Sequence, residues 1–100
     1  MKKSVRGSLK AQTQADKDAI VLDINKYTLW HLVTQDVTEE DGSNSFTFEA
    51  WVENATDESK LWTDMKHHAD KLKGNIDRHD CTHDETNKKP CVIAETYKVE

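Results

Sequence analysis

Cysteine, proline, glycine and basic charge are all scarce in this chain, and each scarcity removes a class of protein. Two cysteines, Cys81 and Cys91, are too few for a disulfide framework. One proline and three glycines leave no linker and no low-complexity tract, so residues 1–100 are expected to form a single domain. Fourteen Lys and Arg against nineteen Asp and Glu give a net charge of −5. Duplex DNA and anionic membranes need a basic patch to meet their phosphates, so neither is expected as a partner. No apolar run approaches the roughly 18 residues of a membrane span, the longest uncharged apolar string being Ala19 to Leu22. The amino terminus, MKKSVRGSLKAQTQADKD, lacks the apolar core of a secretion signal. A soluble, cytoplasmic protein is therefore expected, with residues 1–3 disordered.

Motifs for catalysis are missing too. There is no glycine-rich phosphate loop, no serine nucleophile motif and no H-E-x-x-H, and the carboxylates are abundant but dispersed. No reaction is assigned on sequence.

What is present is a regular alternation of strand and helix patterns. Val5, Gly7, Leu9 and Ala11 alternate with Arg6, Ser8 and Lys10, which predicts a first strand over 4–12 with one buried face. Thr13 supplies a helix cap, with Asp16 and Asp18 near the positive end of the helix dipole, and a helix is expected over 14–27. The β-branched and aromatic run TLWHLVTQDVT predicts a strand over 28–38, broken by the turn EEDGSNS. Phe46, Phe48, Ala50 and Val52 alternate with Thr47, Glu49, Trp51 and Glu53, giving a strand over 44–54. Thr56 is expected to cap a second helix over 57–72, with Leu61, Met65, His68 or Ala69, and Leu72 at helical spacing and Gly74 as its stop. Strands over 75–83 and 91–99 complete the chain.

This order, strand, helix, strand, strand, helix, strand, strand, resembles the ferredoxin-like superfold with one strand added at the carboxy end. The resemblance implies an α+β domain, a split βαββαβ arrangement with both helices on one face of a mainly antiparallel sheet and the other face open. It rests on topology alone and carries no functional residues across. RNA-binding domains share the order, but they stack bases on aromatics of the first and third strands; here the first strand, SVRGSLKAQ, has none, and nucleic acid is not expected.

Two groups of residues are candidates for function. His79, Cys81 and His83 alternate along one predicted strand face, and Cys91 opens the next strand across a hairpin, a His and Cys set of the kind that holds zinc. The spacing departs from the paired knuckles of structural zinc sites, and the same cysteines permit a disulfide, so free thiols, zinc and a bridge all stand as alternatives. The second group is aromatic. Trp51 falls on the helix-free face of its strand, where Trp30 with Leu32, or Leu29 with His31, can join it. Trp62 is expected at the core edge, His68 as a hydrogen-bonded histidine near the core and His67 at the surface.

The expected function is a protein-binding or homodimerising module that works through the open sheet face, with Trp51 and Trp30 at the interface and no cofactor. The alternatives are a zinc-binding domain, and a small cofactor-free enzyme whose pocket lies between sheet and helices with His31 or His68 as acid or base.

Overall fold

Seven elements follow one another in the computed structural model, which describes residues 2–27, 29–81 and 92–99. They are β1 (Lys2–Leu9), α1 (Gln14–Ile24), β2 (Leu29–Thr38), β3 (Asn44–Val52), α2 (Ala55–Leu72), β4 (Asn75–Cys81) and β5 (Val92–Lys98). The strands form one sheet in the order β2-β3-β1-β4-β5, and every neighbouring pair is antiparallel. This is the ferredoxin-like split βαββαβ topology with a fifth strand beside β4. Lys2 and Lys3, expected to be disordered, are paired in β1. Among the described residues, no helix is long and apolar enough to cross a membrane.

The alternation read from the sequence decides which face the helices cover. Val5 and Leu9 of β1, Phe46, Phe48, Ala50 and Val52 of β3, and Ile76 of β4 share one face and are buried. They pack against Ile20 and Ile24 of α1 and Leu61, Trp62, Met65 and Ala69 of α2. Gly7 lies directly opposite Ile76, and a Cβ there would come within 2.6 Å of Ile76 Cγ2. Its missing side chain is what lets Ile76 fill the core between β1 and β4.

Caps set the helix bounds. Thr13 Oγ1 accepts from the Asp16 backbone N–H at 3.2 Å, as its sequence position predicts. For α2 the cap is Asn54 rather than Thr56: its Oδ1 accepts from the Asp57 N–H at 2.8 Å, and the helix begins at Ala55. β3 ends at Val52, so the chain has already turned when it reaches Asn54, and the first residue able to accept from the helix takes the role. α2 ends on Lys73 in the left-handed region at φ 59°, followed by Gly74. Glycine is required at 74, where a Cβ would run into the Ser8 carbonyl and the Leu9 side chain.

The two helices are tied to each other and to β5 by polar contacts. Tyr27 donates to Asp64 Oδ2 at 2.6 Å, and His68 Nε2 lies 2.6 Å from Asp23 Oδ2. Glu58, buried inside α2, meets Arg78 of β4 at 3.1 Å, and Arg78 reaches Glu95 of β5 at the same distance. Tyr97 of β5 donates to Asp70 of α2.

Candidate functional site

The register of the four strand pairs lines up side chains across the helix-free face in three transverse rows. The first row is His31, Trp51, Ser4, His79 and Ile93, one residue from each strand. The second is Val33, Glu49, Arg6, Asp77 and Thr96, and the third is Gln35, Thr47, Ser8, Asn75 and Lys98. The face thus grades from aromatic, imidazole and apolar groups at one end, through charges of both signs, to a polar row that ends on Lys98.

Trp51 of the first row is held by Arg6 and Glu49 of the second. The Arg6 guanidinium lies over its ring, 4.8 Å from the centroid, and its indole N–H donates to Glu49 Oε1 at 2.5 Å. Arg6 also donates from Nε to Ser4 Oγ at 3.0 Å and pairs with Glu49 at 3.7 Å. With these neighbours Trp51 is 6% exposed. A cation held over an aromatic ring and a carboxylate on its N–H form a rigid, flat, charge-balanced platform. The sequence places Trp51 on this face, but the parts played by Arg6, Glu49 and Ser4 depend on register, which local pattern does not reveal.

Beside the platform, His79 is half-buried. Burial, helped by the positive charge of Arg6, pushes its imidazole toward the neutral form, against the opposing pull of Asp77 and Glu49. Its Nδ1 is buried with no hydrogen-bond partner among the described residues. Cys81 is the last residue of β4, two positions on from His79. His83 and Cys91 lie outside the described residues, as do the side chains of Cys81 and Trp30. Among the described residues no three His, Cys, Asp or Glu side chains gather to hold a metal ion.

The remaining histidines are dispersed. His31 sits on the open face opposite Trp51, while His68 sits between the helices on Asp23. They lie on opposite sides of the sheet. Beyond the third row is a cleft of about 740 Å3, whose walls include Lys10, Lys73 and Lys98 and the turn residues Glu39, Glu40 and Asp41. None of its described lining residues is a histidine. Asp41 is held below the ordinary aspartate range by the Ser43 hydroxyl, which donates to it at 2.6 Å.

Among the described residues the exposed large apolar side chains are Leu22, on α1, and Val33 and Ile93, both on the open face. Compared with protein-family models, with curated proteins and with solved structures, the chain gives no match.

Proposed function

We propose that this chain is a self-associating binding module, and that a second copy packs on its open sheet face. The observation that carries the reading is the first row, His31, Trp51, Ser4, His79 and Ile93, which crosses the sheet from β2 to β5 on the side opposite α1 and α2. Val33 and Ile93 stand exposed near opposite edges of that face, at 45% and 56%. Large apolar side chains on an uncovered sheet face gain by being taken from water, at about 25 cal/mol per Å2. The charges on the face alternate in sign along the second row, so a second copy meets acceptors and donors there instead of the net −5 of the whole chain. A domain of this size hides only about two thirds of its unfolded surface, so association adds burial that a single copy lacks.

The test is molar mass by light scattering. A wild-type mass that is halved in Trp51→Glu supports the reading, because a carboxylate in a desolvated contact loses water without gaining a partner. Trp51 is buried within its own chain, so Ile93→Lys, on an exposed side chain, serves as the companion variant. A wild-type assembly whose mass is unchanged by both substitutions overturns the reading.

A second reading, zinc at the carboxy end of β4, is favoured by one observation: the Nδ1 of His79 is buried without a hydrogen-bond partner among the described residues, on a ring that burial pushes toward the neutral form in which imidazole ligates metal. His79, Cys81, His83 and Cys91 would be its ligands. Elemental analysis of protein purified without chelator tests it: about one zinc per chain, lost in Cys81→Ser, supports the site, and metal-free protein with two alkylatable thiols rejects it.

A further inference from the structure

β2, Leu29–Thr38, ends the sheet on one side, and no strand among the described residues pairs beyond it. Such edges invite another strand, and proteins blunt them with shortness, lysine, proline or bulges. The opposite edge is blunted in this way. β5 has seven residues, carries Glu95 and Lys98, and is broken by a register shift where it pairs with Arg78 and His79 of β4. β2 has neither lysine nor proline. Its register shift falls at the very end, between Leu29 and His31, and its carboxylate, Asp36, is held by Lys17 of α1 at 3.2 Å.

The direction of its backbone groups follows from one side-chain contact. Thr47 of β3 donates from its hydroxyl to the Gln35 carbonyl at 3.2 Å, so that carbonyl points toward β3. In an antiparallel strand alternate residues turn both N–H and C=O to opposite sides. The backbone groups of Leu32, Thr34 and Asp36 therefore face outward from the sheet.

We infer that β2 is a self-pairing edge, to which β2 of a second copy of this chain adds antiparallel about a twofold axis at Val33. In that register Val33, 45% exposed, lies opposite its own copy, His31 lies opposite Gln35, and Leu32 exchanges backbone hydrogen bonds with Thr34. His31 and Asp36 are the ionisable residues of β2, and neither meets a like charge. An axis through a residue also preserves the side-chain period of two, so both helix layers stay on the same side of one continuous sheet. The contact is isologous and needs only that β2 complement itself. It stands independently of the face-to-face reading, because joining edges leaves the open face uncovered. A chain that makes both contacts assembles beyond the dimer.

The test uses Thr34→Pro. Proline at this position removes an outward N–H and leaves the ladder to β3 intact, the place where edge strands tolerate it. Circular dichroism checks the fold and light scattering reads the mass against the 11.5 kDa of one chain. The expected result is a folded Thr34→Pro protein with half the wild-type mass. In the wild type, exchange of the Leu32 and Thr34 amides slows as protein concentration rises. Should Thr34→Pro fail to fold, the exchange measurement decides alone. Unchanged mass in folded Thr34→Pro, or exchange at these amides independent of concentration, overturns the inference, and so does a monomeric wild type. Ile93→Lys separates this contact from the face: mass lost in Thr34→Pro and kept in Ile93→Lys supports edge pairing and rejects the face contact, and the reverse pattern rejects edge pairing and supports the face.

Discussion

Arg6 lies over the ring of Trp51, its guanidinium carbon 4.8 Å from the ring centroid, on the face of the sheet opposite α1 and α2. A tryptophan there would otherwise expose a large apolar plane, and the guanidinium shields it while keeping a wet, charged outer surface. Arg6→Ala is expected to uncover Trp51 and to lose the pairing with Glu49, lowering stability by about 0.5–2 kcal/mol. The indole N–H resonance of Trp51 reports it: faster solvent exchange in Arg6→Ala agrees, and an unchanged resonance with unchanged melting contradicts the contact.

The core account makes a separate claim. Leu61 of α2 and Phe48 of β3 are both buried on the helix-covered side. Truncating either to alanine leaves a cavity between sheet and helices, and each change is expected to cost roughly 2 to 5 kcal/mol in denaturant unfolding. Losses near zero at both would mean that the helices do not pack there.

Both tyrosines of the chain donate to aspartates of α2, and this gives an alkaline prediction. Tyr27 is pushed up to about 12, first by its hydrogen bond to Asp64 and then by burial, and Tyr97 is raised by its bond to Asp70. A phenol raised in the folded state contributes stability that is present below its ordinary value of 10.0 and is lost as pH climbs through the folded one. Ultraviolet titration of native protein is expected to show no phenolate step at 10.0. Two steps there would place both hydroxyls in water.

At the acid end the contact between α1 and α2 is the sensitive one. Burial tends to raise Asp23, but hydrogen bonds from Lys26 at 2.7 Å and His68 at 2.6 Å outweigh it and hold the carboxyl below its ordinary 3.8. A depressed carboxylate contributes stability that is full above 3.8 and disappears as pH falls through its lower folded value. Asp23→Asn should therefore be less stable than wild type near neutrality, with the difference shrinking as pH drops below that range. A difference that stays constant with pH would show that Asp23 acts through shape alone.

The element order was legible because two periods are clear: the alternation through Phe46, Phe48, Ala50 and Val52, and the helical spacing of Leu61, Met65, Ala69 and Leu72. The start of α2 was not, since Asn54 and Thr56 are both capping residues and only the backbone path decides which one accepts from Asp57. The site divides in the same way. Its strand pattern puts Trp51 opposite the buried face of β3, but its neighbours come from pairing Ser4 with Trp51 and Arg6 with Glu49, contacts some 45 residues apart in the chain. His68 reads as a hydrogen-bonded histidine from its place beside the apolar stripe, whereas its partner Asp23 emerges only when α1 and α2 meet. Glu58 lies in the first turn of α2, where an acidic residue suits the helix dipole, and no local pattern shows that it is buried against Arg78.

The claim that the open face is the working surface is tested most directly by two matched surface substitutions. Ile93 and Leu22 are both exposed apolar residues, at 56% and 68%, but Ile93 is on the open face and Leu22 on α1. Molar mass by light scattering, measured across a concentration series, is expected to fall in Ile93→Lys relative to wild type and to stay unchanged in Leu22→Lys. Equal masses for all three proteins, or a loss confined to Leu22→Lys, would contradict it.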